Sequence, residues 1–253
     1  MAVQIEKKAR AQWVTWDRPP LNVLDLVLLH ELDQQLTLCA ADSTVDVVVL
    51  QGAGLRAFSA GVDIKDHTTE KVPEMLQVVH GVIRKLLALP QVTIAAVRGA
   101  CLGGGCELAS SCDFIIATDD SVFATPEILV GCYPPVALAR FATLIGYHRA
   151  AEMILTGRRF SAREMHAMGL VSRVFGNAEF DQGMQALLDE LLGKSGAVLR
   201  LAVKGLRELS LQGLDAALKR SEEIYCTELL KTNDVEEGVR AFLEKRPAQW
   251  RHS

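Results

Sequence analysis

The run Val45-Asp46-Val47-Val48-Val49-Leu50 is nearly all apolar and too short for a stable helix. A strand with almost no polar face must be covered on both sides, the situation of a central strand in a parallel sheet flanked by helices. The flanking sequence keeps to that plan. Residues 3–8 and 12–16 read as an opening hairpin, and a helix capped by the Asp25 carboxylate is expected to run to about residue 40. Residues 74–89 have helical spacing that stops at Pro90, and residues 92–97 are again strand-like. The glycine run 103–105 then leads into a short helix through Glu107, followed by a strand at 113–118. Repeated strand, loop, helix order implies an α/β fold with functional loops at the strand ends.

From about residue 178 the strand pattern disappears. Residues 180–192, 197–209, 214–230 and 235–245 read as helices, broken at Gly193, Gly213 and Asn233-Asp234. The expected organisation is a strand-rich core over residues 1–175 and a helical C-terminal region over 176–253, packed on the core or on a neighbouring subunit. No internal repeat or low-complexity linker is visible.

Composition narrows the function. With 253 residues, 49% hydrophobic and 23% charged, the chain can bury a full core as one large soluble domain. A net charge of -4 and a pI near 5.9 argue against a general nucleic-acid binder. The N-terminus lacks a signal-peptide pattern and no apolar run is long enough to cross a bilayer, so a cytoplasmic protein without membrane partners is expected. The six cysteines form no CxxC pair and read as free, mostly buried thiols rather than zinc ligands or disulfides. His30, His67, His80, His148 and His166 form no HExxH or i, i+4 pair, so no metal site is expected, and each reads as a surface or satisfied side chain.

Two acids stand out against this background. Glu107 closes Gly103-Gly104-Gly105-Cys106-Glu107 and Glu127 sits in Thr125-Pro126-Glu127-Ile128, both in the least charged third of the chain. Apolar surroundings favour a neutral carboxyl, and a second carboxyl nearby resists a second charge, so the pair can supply one proton donor and one acceptor near neutral pH. The adjacent glycines let backbone N–H groups approach a ligand closely, as acyl chemistry requires.

In sequence order these motifs resemble the crotonase, or enoyl-CoA hydratase/isomerase, superfamily over almost the whole chain. The resemblance rests on Arg18-Pro19 with Leu21-Asn22, Ala57 through Lys65, Gly99 through Leu108, Pro126-Glu127-Ile128 with Gly131, Leu155-Thr156-Gly157 with Met168 through Val171, and Glu237-Gly238 to Arg246. It implies a ββα spiral core with a helical C-terminal trimerisation region, forming homotrimers or dimers of trimers. It further implies that the Val62 and Gly104 amides bind a thioester oxygen, and that Glu107 activates water at the β-carbon while Glu127 exchanges the α-proton. CoA is implied to lie along Ser59, Ala60, Asp63 and Ile64. Phe242 and Lys245 match tail residues that in relatives reach the CoA of an adjacent subunit, although an amphipathic helix with a core Phe242 and a solvated Lys245 explains them equally well. No cofactor is implied, since CoA is part of the substrate.

One departure is visible. Where common hydratases of the family read Pro-Gly-x-Gly-Gly, this chain has Cys132-Tyr133-Pro134-Pro135-Val136-Ala137, so Pro135 replaces a glycine whose N–H lies near the catalytic water. Tyr133, Pro134 and Pro135 are expected to shape the acyl pocket. The retained acids with this turn are similar to the cyclic dienoyl-CoA hydratases of the superfamily, those acting on cyclohexa-1,5-diene-1-carbonyl-CoA among them. An isomerase or thioester hydrolase on the same fold, and a non-catalytic binding or scaffold role such as RNA binding, stay open as alternatives.

Overall fold

The computed structural model describes residues 2–252. Strands β1 (Val3–Lys8) and β2 (Ala11–Trp16) form the antiparallel hairpin expected from sequence, with Val3 opposite Trp16. Helix α1 (Leu26–Ala41) starts where the Asp25 carboxylate accepts from the Leu28 amide at 2.9 Å, the expected cap. Then come β3 (Val47–Gly52), β4 (Ala57–Ser59), α2 (Val72–Ala88), β5 (Val92–Val97), β6 (Ala100–Leu102), α3 (Gly104–Ser110), β7 (Phe114–Thr118) and β8 (Val122–Ala124). A 3-10 turn over Pro126–Val130 leads to α4 (Pro135–Ile145), α5 (Tyr147–Thr156), β9 (Phe160–Ser161), α6 (Ala162–Met168) and β10 (Arg173–Phe175). Helices α7 (Phe180–Leu192), α8 (Gly196–Ser210), α9 (Leu214–Thr227) and α10 (Asn233–Leu243) complete the chain. No helix among the described residues is long and apolar enough to cross a membrane.

The strands divide between two sheets. A six-stranded sheet has the order β1-β2-β3-β5-β7-β10, parallel from β2 onward, and a four-stranded sheet has the order β4-β6-β8-β9. The consecutive pairs β3/β4, β5/β6 and β7/β8 each place one strand in either sheet, so the chain winds as a ββα spiral. The four-stranded sheet is absent from the sequence reading. Strands of two or three residues span little more than one period of alternation, too little to register as a pattern.

Alternation along the central strands sends side chains into two cores. Val48, Leu50, Ala95 and Val97 join α1 and α2 on one face, while Val47, Val49, Val92, Ile94 and Ala96 meet Phe180, Met184, Leu187, Leu188 and Val203 on the other. Leu218, Tyr225, Val235 and Val239 belong to the first of these cores, so the last two helices pack on the strand-rich part of the chain. Two helix ends differ from the sequence reading. The helix read over 214–230 stops at Thr227 and is followed by a 3-10 turn at Leu229–Lys231, and α10 stops at Leu243, with Lys245 at a φ of 54° that ends the helical path. All six cysteines are free thiols, five of them buried, as read from sequence.

Helix α10 also fixes the turn that carries Glu127. Gly238 lies so close to that turn that a Cβ there would collide with the Val130 carbonyl and lie 2.9 Å from the Gly131 amide. Both obstacles are backbone and cannot rotate away. Gly238→Ala should therefore destabilise the fold by about 2 kcal/mol despite alanine's better helix propensity, read as a lower urea midpoint with an unchanged slope.

Candidate active site

Between the glycine run, the Pro126–Val130 turn, α2, the start of α4, α9 and α10 lies a cavity of about 330 Å³. It is lined by Ala60, Val62, Ile64, Gly104, Glu107, Glu127, Tyr133, Pro134, Pro135 and Phe242 from among the residues singled out in the sequence. Segments far apart in the chain meet here because parallel β4, β6 and β8 end side by side, so the loops after them converge.

Glu107 is 3% exposed on α3, and its Oε1 accepts from the Ala137 amide at 2.9 Å. That amide is one of the unpaired donors in the first turn of α4, whose first residue, Pro135, has no N–H to offer. The proline that departs from the family pattern thus starts the helix that holds Glu107. Burial raises the Glu107 carboxyl to about 7, against the pull of the Ala137 and Val136 amides. Glu127 is raised further, to about 8, by burial and then by the negative charge of Glu107. Its Oε2 is sealed from solvent without a hydrogen-bond partner. The two acids therefore titrate as a pair whose protons are held to near-neutral pH.

Two backbone amides, of Val62 and Gly104, lie near Glu127. A Cβ on Gly104 would lie 3.5 Å from the Val62 nitrogen, and one on Gly103 would lie 2.7 Å from Glu127 Oε1, so all three groups crowd one end of the cavity. Neither the Val62 nor the Gly104 amide donates to another protein group among the described residues. The Gly104 amide opens α3 and the Val62 amide precedes the 3-10 turn Ile64–Asp66, and both residues line the cavity.

Three of the residues singled out in the sequence do not line the cavity. Ser59 is buried beneath it and its Oγ accepts from the Gly61 amide at 3.0 Å. Asp63 caps the 3-10 turn Ile64–Asp66 through the Lys65 amide at 3.0 Å, and Lys245 is exposed beyond α10. Phe242, which an amphipathic helix alone would have placed in the core, is 56% exposed at the cavity mouth. Conversely, His67, His80 and Tyr225 line the cavity; His67 is a satisfied side chain through Nδ1 and the Asp63 carbonyl at 3.1 Å, as read from sequence, whereas that reading is corrected for His80. His80 is fully buried, and its Nε2 has no hydrogen-bond partner. The signal was its place in the apolar stripe Leu76, Val79, Ile83 of α2, one helical turn after Leu76.

Comparison with known proteins agrees with this geometry. The enoyl-CoA hydratase/isomerase family model matches residues 6–253. The chain is 31% identical over 239 residues to a cyclohexa-1,5-dienecarbonyl-CoA hydratase of Thauera aromatica, covering 92% of this chain and 90% of that protein. It is 35% identical over 263 residues to a probable enoyl-CoA hydratase of Rhizobium meliloti, covering 98% and 97% of the two chains. The crystal structure of an enoyl-CoA hydratase from Mycobacterium avium subsp. paratuberculosis superposes with a TM-score of 0.89 at 28% identity, covering 99% of this chain and 98% of that one. A match that runs from β1 to the C-terminal residues takes in both sheets, the acid pair and the tail helices together, and the chain belongs to the enoyl-CoA hydratase/isomerase, or crotonase, superfamily.

Proposed function

We propose that the protein is a hydratase that adds water reversibly across the C2–C3 double bond of an enoyl-CoA thioester. One observation carries the reading: two buried acids whose proton affinities are raised towards neutrality share a cavity with two unengaged backbone amides. Glu107, held by the Ala137 amide, takes a proton from water as its oxygen bonds to C3. The displaced electron pair moves through C2 to the thioester oxygen, where the Val62 and Gly104 amides stabilise it, each such donor being typically worth about 3 kcal/mol in the transition state. Glu127, whose proton is favoured by burial and by the negative charge of Glu107, then delivers it to C2. The balance needs no cofactor beyond the CoA carried by the substrate.

The same pair sets the pH dependence. Activity requires one ionised and one protonated acid, so kcat/KM should be bell-shaped within the near-neutral range, rising as the pair loses its first proton and falling as it loses its second. Stability runs the other way. Both folded-state values lie above the ordinary 4.5, so between pH 4.5 and 8 the folded chain binds more protons than the unfolded one and stability falls as pH rises. Glu127→Gln, which removes the titration, should be more stable than wild type at pH 8 and should lose that advantage at pH 4, read by thermal unfolding at both values.

The rigid wall of Tyr133, Pro134 and Pro135 favours a flat ring over a flexible chain, and the similarity to a cyclic dienoyl-CoA hydratase supports that preference. Incubation with straight-chain and cyclic enoyl-CoA esters, followed by mass spectrometry for the gain of one water, tests the reaction. Competition between crotonyl-CoA and a cyclic dienoyl-CoA tests the preference. Loss of the preference in Pro135→Gly is the expected result, and a wild type that favours crotonyl-CoA would remove the cyclic assignment while leaving hydration in place. Subunit association as a trimer or dimer of trimers is supported by the exposed Val198, Leu201, Leu206 and Leu209 of α8 and Phe242 of α10. In such an assembly Lys245 meets the phosphates of a CoA bound next door, and the protein works in the cytoplasm without a nucleic-acid partner.

A further inference from the structure

A second cavity, of about 210 Å³, lies between the C-terminal end of α3, the start of β7, α4, the loop after α6 and the end of α8. None of its lining residues lines the first cavity. At about 30 Å³ per molecule it has room for about seven waters, or for a small anion.

Three charged residues line this space: Asp113, Arg140 and Arg207. Two of them answer each other. The Asp113 oxygens accept from Arg207 Nε at 3.0 Å and Nη2 at 2.5 Å, and Oδ2 also accepts from the Thr93 amide at 2.7 Å. The other Arg207 N–H groups go to Thr93 Oγ1 and to the carbonyls of Leu87, Leu89 and Gln91, so that pair is closed. Arg140 is left over. Its guanidinium makes no hydrogen bond and no ion pair with any described residue. Nη1 is sealed from solvent, whereas Nε and Nη2, equally without a partner, stay open to a water-sized molecule.

The charged end of Arg140, and not its stem alone, belongs to this cavity. Burial pulls its proton affinity below the ordinary arginine range, and the groups whose charges act on it, Cys112, Asp113 and Arg207, all line the same space. Arginine keeps its proton even so, and burial holds the Cys112 thiol neutral, which leaves the cavity with one positive charge in surplus. A charge taken out of water without a counter-charge is costly. The open nitrogens Nε and Nη2 lie along one edge of the guanidinium, the fork that takes both oxygens of a carboxylate in parallel hydrogen bonds. The rest of the lining includes Leu87, Leu144, Leu206 and Leu211, which suits a short hydrocarbon rather than a second charged group.

We propose that the second cavity is a carboxylate site, in which Arg140 Nε and Nη2 hold the two oxygens of a singly charged carboxylate whose short apolar part rests on Leu144 and Leu206. Two sources carry that chemistry. One is a free short-chain organic acid, and the other is an acidic side chain of a second copy of this chain, since Leu206 also belongs to the exposed apolar row of α8. The site stands independently of the hydratase reading.

Thermal unfolding in rising sodium butyrate, against sodium chloride and sodium phosphate at matched ionic strength, tests the proposal and separates the sources. Arg140→Met removes a charge without cutting any protein hydrogen bond and should fold as wild type does. Arg140→Lys keeps the charge and loses the fork. For a free acid, butyrate should raise the wild-type unfolding temperature saturably beyond chloride and phosphate. The half-saturating concentration should then rise at least about tenfold in Arg140→Met, with Arg140→Lys between the two. Absence of a butyrate effect, together with a lower assembled mass of Arg140→Met in sedimentation velocity that Arg140→Lys partly recovers, assigns the carboxylate to a second copy. The proposal is overturned if Arg140→Met leaves both the response to butyrate and the assembled mass unchanged, or if phosphate protects as well as butyrate.

Discussion

Glu107→Gln and Glu127→Gln should each lower hydration turnover by about a thousandfold while leaving the affinity for a CoA ester nearly intact. In Glu107→Gln the side-chain carbonyl oxygen would still accept from the Ala137 amide, so the start of α4 stays capped and the loss reports proton transfer rather than a collapsed cavity. The two acids act on the same addition, so once either is gone the other has little left to contribute. The double variant should be far less than a millionfold slower. Single-turnover rates and calorimetric affinities for all three proteins decide the matter, and near-normal turnover in either single variant would break the two-acid mechanism.

The largest expected effect on stability lies away from the cavity, at Arg207 of α8. Its guanidinium donates to Asp113 Oδ1 at 3.0 Å and Oδ2 at 2.5 Å, to Thr93 Oγ1 at 3.1 Å, and to the carbonyls of Leu87, Leu89 and Gln91. Asp113 in turn accepts from the Thr93 amide at 2.7 Å. One side chain therefore ties a C-terminal helix to the end of α2 and the starts of β5 and β7. Arg207→Met keeps much of the packing of the stem but leaves a carboxylate and several carbonyls without their donor, and should cost about 3 kcal/mol or more. Urea unfolding reads the loss directly. A cost under about 1 kcal/mol would mean that the network behaves as an exposed ion pair.

Much of the six-stranded sheet was legible because its inner strands are continuous apolar runs: residues 92–97 were read to the residue, and the Asp25 cap and the span of α7 were read equally well. Such features are local, and their physics is written within a few residues. The four-stranded sheet was not legible. Its strands are short, and their stability comes from pairing with segments tens of residues away, as Cys101 pairs with Phe123. The sequence likewise placed Glu107, Glu127, Val62, Gly104 and the Tyr133-Pro134-Pro135 turn as candidates that prove to share one cavity. It did not place His80 in the cavity because its position in the apolar stripe of α2 marks burial but not a partner, and that partner, Glu222, lies 142 residues further on.

The chain by itself determined the longer strands of the six-stranded sheet, most of the helices that flank it and which acids sit among apolar neighbours, since propensity, capping and periodicity are short-range properties. Only the tertiary structure decided what those acids are. Burial and the approach of Glu107 to Glu127 move two ordinary carboxyls towards neutrality, the start of α4 supplies an amide to Glu107, and the packing of α9 on α2 brings Glu222 to His80. Proton affinity depends on distance and dielectric, and both come into being when segments distant in sequence close around one cavity.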